Sequence, residues 1–88
     1  MKKVIIYTAT YCPFCVKAKR LLDQKKVAYE EIDVTNHDLL RDQMTQKAEG
    51  RRTVPQIFIE DKPIGGCDDL YELENRGLLD GMLRSPLG

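Results

Sequence analysis

An apolar, β-branched run leads directly into a Cys-Pro-Phe-Cys motif near the start of the chain. The run KVIIYT at 3–8 predicts a buried strand, and Pro13 predicts a helix start, because proline suits the first helical turn. VAYEEIDV at 27–34 predicts a second strand. A helix between two such strands implies a parallel pair with a right-handed crossover. The helix has one apolar face, formed by Cys15, Ala18, Leu21 and Leu22.

The rest of the chain predicts two more helices and a hairpin. Thr35 or Asn36 is expected to cap the second helix, since both side chains accept hydrogen bonds from helical N–H groups. QIFIE at 56–60 and KPIG at 62–65 predict a hairpin, and a third helix follows it at once. The pattern therefore predicts an α/β domain, a small mixed sheet with helices on both faces.

Length and charge exclude several classes of function. We expect residues 1–88 to form a single domain, with 81–88 as a frayed C-terminal tail. Fourteen basic residues balance fourteen acidic ones, so no net field attracts nucleic acid or a membrane. The apolar run in the opening MKKVIIYT is too short for the hydrophobic region of a signal peptide. No stretch of the sequence is long and apolar enough for a membrane span. We expect a cytoplasmic monomer with no nucleic-acid or membrane partner.

The two cysteines of the motif are spaced for redox chemistry. One helical turn separates Cys12 from Cys15, which is close enough for a disulfide. A helix N-terminus stabilises a thiolate, so Cys12 is the candidate nucleophile and Cys15 the candidate resolving thiol. Half of a zinc site is the alternative, but only Cys67 and His37 offer further soft or imidazole donors, at unsuitable spacing. The motif beside a β–α–β pattern favours the redox pair, and we expect no metal site.

The segment IGGCDD at 64–69 predicts a helix start that can also bind a ligand. Two glycines are typical of a tight turn, and two aspartates are typical of a first helical turn. Free N–H groups at such a terminus can bind a carboxylate, and the aspartate side chains can take an ammonium group. The α-amino acid end of a peptide carries both charges. The bond Val54–Pro55 precedes a strand, and residue statistics alone predict it to be trans.

Three separated motifs resemble the glutaredoxins, specifically the short bacterial dithiol type, the glutaredoxin-3-like group. They are YT…CPFC at 7–15, TVPQIFI at 53–59 and GGCDDL at 65–70, in the family's order and spacing. The resemblance implies a thioredoxin fold with a four-stranded sheet and a cis Pro55. It implies a glutathione-dependent thiol–disulfide oxidoreductase in which Cys12 attacks protein disulfides or glutathione mixed disulfides and Cys15 resolves. Glutathione then regenerates the dithiol.

The resemblance also implies a glutathione site. Thr53 and Val54 hold the cysteinyl backbone through main-chain hydrogen bonds. The N–H groups of Asp68 and Asp69 hold the γ-glutamyl carboxylate, and the Asp69 side chain takes the ammonium group. Arg51 takes the glycyl carboxylate. The other residues that the resemblance assigns to this site are Tyr11, Phe14, Pro55 and Gly66.

Partners and cofactors follow from the same resemblance. It implies glutathione as a co-substrate, no tightly bound cofactor, and indirect coupling to glutathione reductase. Glutathionylated or disulfide-containing proteins are the expected substrates, with ribonucleotide reductase as a family example. The alternatives are an iron–sulfur or other metal carrier, disfavoured by Pro13, and a redoxin reduced by thioredoxin reductase. Two departures, Phe14 for the usual Tyr and Ala9 for a frequent Lys, predict weaker glutathione binding and a less lowered Cys12 pKa.

Overall fold

Four strands and four helices make up the fold. The computed structural model describes residues 2–84. Along the chain the elements are β1 (Val4–Thr8), α1 (Pro13–Gln24), β2 (Glu30–Asp33), α2 (Asp38–Lys47), β3 (Gln56–Ile59), β4 (Lys62–Gly65), α3 (Cys67–Asn75) and α4 (Leu79–Leu83). Of the predicted frayed tail, residues 81–83 belong to α4, and 85–88 lie outside the described residues.

The strands form one mixed sheet in the order β2-β1-β3-β4. Strand β1 pairs in parallel with β2, with Tyr7 opposite Ile32, and antiparallel with β3, with Ile6 opposite Ile57. Strands β3 and β4 form the predicted hairpin. The parallel β1–β2 pair is joined through α1, as the β–α–β pattern predicts. The central strands are β1 and β3, and β2 and β4 are the two edges.

Apolar residues cover both faces of the sheet, because successive side chains of a strand point to opposite faces. Ile6 and Val4 face α1, α3 and α4 in the larger core cluster, which includes Leu22 and Leu70. The smaller cluster joins the other face to α2 and contains Tyr7, Val34, Met44, Ala48 and Phe58. The Tyr7 and Phe58 rings meet edge-on, with centroids 5.6 Å apart. The prediction of a mixed α/β sheet with helices on both faces is confirmed.

Two predicted boundaries are wrong. Helix α2 begins at Asp38 with His37 at its N-cap, and neither Thr35 nor Asn36 caps it. Thr35 instead uses its hydroxyl to accept a hydrogen bond from Thr10 N in another loop, and Asn36 has a left-handed backbone with φ 53°. Strand β2 is shorter than the predicted 27–34, because Val27 N bonds back to Leu22 O at the end of α1.

The fold positions the Cys-Pro-Phe-Cys motif where β1 ends and α1 begins. Residues 9–12 connect the carboxyl end of a buried central strand to the first turn of the helix. Helix α3 packs beside α1 and starts directly after β4. Among residues 2–84, no helix combines the length and the apolar character needed to cross a bilayer.

Candidate active site

Cys12 and Cys15 form a disulfide at the N-terminus of α1, with their Cα atoms 5.1 Å apart. Cys12 is the N-cap residue, and its Sγ accepts a hydrogen bond from Cys15 N at 3.0 Å. Cys12 is half-buried, whereas Cys15 is only 2% exposed and lies on the apolar face of the helix. An external disulfide therefore meets Cys12 first, and Cys15 is reached through it.

The start of α1 favours a negative charge on Cys12. The helix dipole places partial positive charge at this end, and the Cys15 N–H already points at the Cys12 sulfur. The first turn of α1, which the structure describes in full, carries no acidic residue that would repel a thiolate. A hydrogen bond to a thiolate is stronger than one to a neutral sulfur, so this N–H and the helix dipole stabilise a thiolate at Cys12 once the disulfide is reduced.

A groove of about 280 Å³ lies beside the disulfide. Its walls come from the start of α1, the loop before β3 and the start of α3. Eight of the nine residues that the family resemblance assigns to glutathione line it, together with Cys67. These eight are Phe14, Arg51, Thr53, Val54, Pro55, Gly66, Asp68 and Asp69. A different surface concavity, near Lys2 and Tyr29, is larger but lies away from the cysteines.

The loop before β3 brings the groove close to the reactive sulfur. Val54–Pro55 is a cis peptide bond, as the family resemblance implies and residue statistics do not. The Val54 carbonyl oxygen is 3.9 Å from Cys12 Sγ, the sulfur that becomes a thiol when the disulfide is reduced. Gln56 Nε2 donates to Thr53 O at 3.0 Å, which steadies the loop from the buried end of β3. A ligand lying along Thr53 and Val54 is therefore within reach of Cys12.

Arg51 and Asp69 pair with each other across one end of the groove. Asp69 Oδ2 accepts hydrogen bonds from Arg51 NH1 at 3.0 Å and from Gly66 N at 2.8 Å. The bond from Gly66 N is one half of a capping box, and glycine has no side chain to supply the other half. These two bonds, the Gly66 N–H first and the Arg51 guanidinium second, lower the pKa of Asp69. Asp69 is therefore ionised at neutral pH.

Comparison with known proteins decides the family. A sequence model of the glutaredoxin family matches residues 4–64, which run from β1 into β4 and include both cysteines. The chain belongs to the glutaredoxin family.

Relatives cover nearly the whole of this glutaredoxin. Glutaredoxin 3 of Escherichia coli is 48% identical over 84 residues, which are 96% of this chain and 100% of the relative. The solution structure of a Brucella melitensis glutaredoxin is 48% identical, with a TM-score of 0.85 over 98% of this chain and 92% of that one. The crystal structure of a buckwheat glutaredoxin–glutathione complex is 35% identical, with a TM-score of 0.84. The match covers 93% of this chain and 76% of the buckwheat chain.

These likenesses establish the fold and the class of reaction. The four-stranded mixed sheet is a thioredoxin fold, as predicted. Glutaredoxins are thiol–disulfide oxidoreductases, and this one carries the Cys12–Cys15 pair on which that chemistry depends. Within residues 2–84, no three His, Cys, Asp or Glu side chains gather into a set able to hold a metal ion.

Tyr11 is the one residue assigned to the glutathione site that does not line the groove. The resemblance assigns it to the glutathione site, yet its side chain is 97% exposed and stands outside the groove. Its backbone is left-handed, with φ 57°. Sequence patterns do not carry this information, because the side chain direction depends on the loop that precedes Cys12.

Cys67 lines the groove, although the sequence did not assign it to the glutathione site. It is 5% exposed at the first position of α3, and burial raises the pKa of its thiol. Cys67 is therefore a neutral, shielded thiol at pH 7. The sequence did carry one indication that Cys67 lies at this site, since it stands between Gly66 and Asp68, which were both assigned to glutathione. The weaker glutathione binding predicted from Ala9 and Phe14 stays a prediction.

Proposed function

We propose that this glutaredoxin draws its electrons from glutathione and reduces both glutathione mixed disulfides and protein disulfides. The supporting observation is the groove beside Cys12, which gathers eight of the nine residues assigned to glutathione from three separate parts of the chain. A buckwheat relative with the same fold forms a complex with glutathione. This proposal makes the groove a co-substrate site next to the reacting sulfur.

The charges of the groove suit the charges of glutathione, which has two carboxylates and one ammonium group. Arg51 offers a guanidinium for one carboxylate, and the N-terminus of α3 offers N–H groups for the other. Asp68 and Asp69 offer carboxylates for the ammonium group. In the free protein Arg51 and Asp69 satisfy each other, so an incoming glutathione exchanges one partly exposed ion pair for two contacts with the ligand.

Removal of glutathione from a protein needs one cysteine. The Cys12 thiolate attacks the glutathione sulfur of the mixed disulfide, and the bond to the protein sulfur breaks. The released protein thiolate takes up a proton, and Cys12 is left bonded to glutathione. A second glutathione thiolate then attacks the sulfur of the bound glutathione, which forms glutathione disulfide and returns the Cys12 thiolate. The Cys15 N–H stabilises that leaving thiolate.

Reduction of a protein disulfide needs both cysteines. Cys12 attacks one sulfur, and the other leaves as a thiol. Cys15 then loses its proton and attacks Cys12 Sγ, which releases the second protein thiol and forms the disulfide seen here. Two glutathione molecules reduce that disulfide and become glutathione disulfide. Glutaredoxin potentials of about −200 to −230 mV lie close to the cytoplasmic glutathione poise, so we propose a cytoplasmic location, where glutathione reductase recycles the product.

The decisive test is turnover of a small glutathione mixed disulfide, coupled to glutathione reductase and followed by NADPH consumption. We expect turnover in the wild type, none with Cys12→Ser, and turnover retained with Cys67→Ser, the matched loss of a thiol elsewhere in the groove. Wild-type protein that is inactive with glutathione but is reduced by thioredoxin reductase would contradict the proposal. That result would favour a redoxin that no longer uses glutathione.

A further inference from the structure

The residue before the nucleophile is held in a strained conformation. Tyr11 has φ 57°, a left-handed backbone that costs energy for any residue with a side chain. Its ring is 97% exposed, so side-chain packing does not stabilise this conformation. Strain of this kind persists only where neighbouring contacts impose it, and it is common at active sites. The contacts that hold Tyr11 are therefore informative about Cys12.

Those contacts come from the next loop of the fold. Thr10 N donates a hydrogen bond to Thr35 Oγ1 at 2.6 Å, and Thr35 Oγ1 donates to Thr10 Oγ1 at 3.1 Å. Thr35 is fixed in turn, since its own N–H donates to Asp33 Oδ1 at 2.7 Å. We call the contact between Thr10 and Thr35 the threonine bridge. The bridge joins the loop before α1 to the loop after β2. Its first member, Thr10, lies two residues before Cys12.

We propose that the threonine bridge is a positioning device for the Cys12 thiolate. The Cys12 sulfur meets the Cys15 N–H because Cys12 has an extended N-cap backbone, with φ −117° and ψ 94°. That backbone continues directly from Tyr11. Without the bridge, Tyr11 relaxes towards negative φ, Cys12 turns with it, and the sulfur spends less time against the N–H. Thr35, which lies on another loop, thereby controls how easily Cys12 ionises.

Other charged groups around Cys12 do not change when Thr35 is altered. They are Arg51, Asp68 and Asp69, which line the groove, and Lys17 on α1, which acts on the neighbouring Cys67. Asp33 touches Thr35 itself, but the Thr35 N–H that it accepts is a backbone group and remains in alanine. A threonine-to-alanine change removes no charge and leaves these groups in place. A shift in the titration of Cys12 therefore reports the geometry of the loop and not a change in the local field.

The test is the pH dependence of Cys12 alkylation by iodoacetamide in the reduced protein, followed by mass spectrometry. In Thr35→Ala we expect the pH midpoint to rise by about 0.5 unit, which is roughly a threefold lower thiolate fraction below the midpoint. Thr35→Ser keeps the hydroxyl and should match the wild type. The matched control is Thr45→Ala, which removes a threonine hydroxyl bonded to Arg41 O within α2 and should shift nothing.

A second variant separates positioning from stability. Glycine adopts positive φ without strain, so Tyr11→Gly added to Thr35→Ala should return the midpoint towards the wild-type value. Coincident curves for Thr35→Ala and wild type, or a double variant that stays shifted, would overturn the inference. The inference rests on Cys12 as the nucleophile but not on glutathione, which the assay omits. Wild-type labelling that does not begin at Cys12 would remove the basis of both proposals.

Discussion

Gly65→Ala tests whether the Arg51–Asp69 pair and the cap of α3 stabilise the protein. Gly65 has φ 113°, a conformation in which a side chain costs about 1–2 kcal/mol. A Cβ at this position would lie 2.6 Å from Asp69 Cγ and 2.7 Å from Arg51 NH1, so both side chains must move. Losing the hydrogen bond from Gly66 N to Asp69 costs about 1 kcal/mol. The half-exposed ion pair contributes at most about 1 kcal/mol more.

We therefore expect Gly65→Ala to lower the free energy of unfolding by about 2–4 kcal/mol. Gly77→Ala is the matched control, because Gly77 also has positive φ, 73°, but no heavy atom lies within 4 Å of its Cβ position. It should lose about 1–2 kcal/mol, from the backbone alone. The difference between the two variants, about 1–2 kcal/mol, corresponds to a gap of roughly 5–15 °C in Tm for a domain of this size.

The assay is urea denaturation followed by far-ultraviolet circular dichroism, with both variants beside the wild type. A further comparison places Gly65→Ala in an Asp69→Ala background, where the clash with the carboxylate is gone and the cost should shrink by about 1 kcal/mol. Equal losses for Gly65→Ala and Gly77→Ala would refute the argument, since the contacts of Asp69 and Arg51 would then contribute nothing. If the groove binds glutathione, Gly65→Ala should also raise the KM for a glutathione mixed disulfide, and Gly77→Ala should not.

Two further predictions concern the dithiol and the pH dependence of stability. Cys15→Ser should retain turnover of glutathione mixed disulfides but lose reduction of protein disulfides; loss of both activities would refute the division of labour between the two cysteines. The Thr8 hydroxyl first, and Lys19 second, lower the pKa of Glu31 below its ordinary 4.5. The stability from this carboxylate is therefore full at neutral pH and is lost as the pH falls below about 4.5. Free energies of unfolding from urea denaturation of wild type and Glu31→Gln should differ at pH 7, by less than about 1 kcal/mol, and converge at pH 3. A difference that stays constant with pH would contradict this.

Local patterns predicted the elements whose signals lie within a few residues. Pro13 begins α1 as expected, and the alternation and turn residues of 56–65 gave the hairpin. Where a distant partner competes, the sequence was a poor guide. Thr35 has the chemistry of a helix cap, but Thr10 N, 25 residues away, takes its hydroxyl, and α2 therefore starts later. The geometry of such long-range contacts does not appear in a one-dimensional pattern.

The candidate site also has a part that local sequence patterns predict and a part that they do not. The positions of Cys12 and Cys15 followed from helix geometry, since the spacing of one turn and the helix N-terminus are both local properties. The remainder of the groove was identified through family resemblance, because Arg51 and Asp69 lie on different parts of the chain. Their mutual ion pair in the free protein was not foreseen. Two residues of opposite charge, 18 positions apart, give no sign in the sequence that they will meet.

The order of the sheet has a consequence for self-association. Its two edge strands, β2 and β4, present the backbone groups through which copies of a protein can join into larger aggregates. The first edge carries three carboxylates in four residues, Glu30, Glu31 and Asp33, so two such edges repel each other. The second edge contains Pro63, which has no N–H to donate. Both open sides of the sheet thus discourage strand addition from another copy.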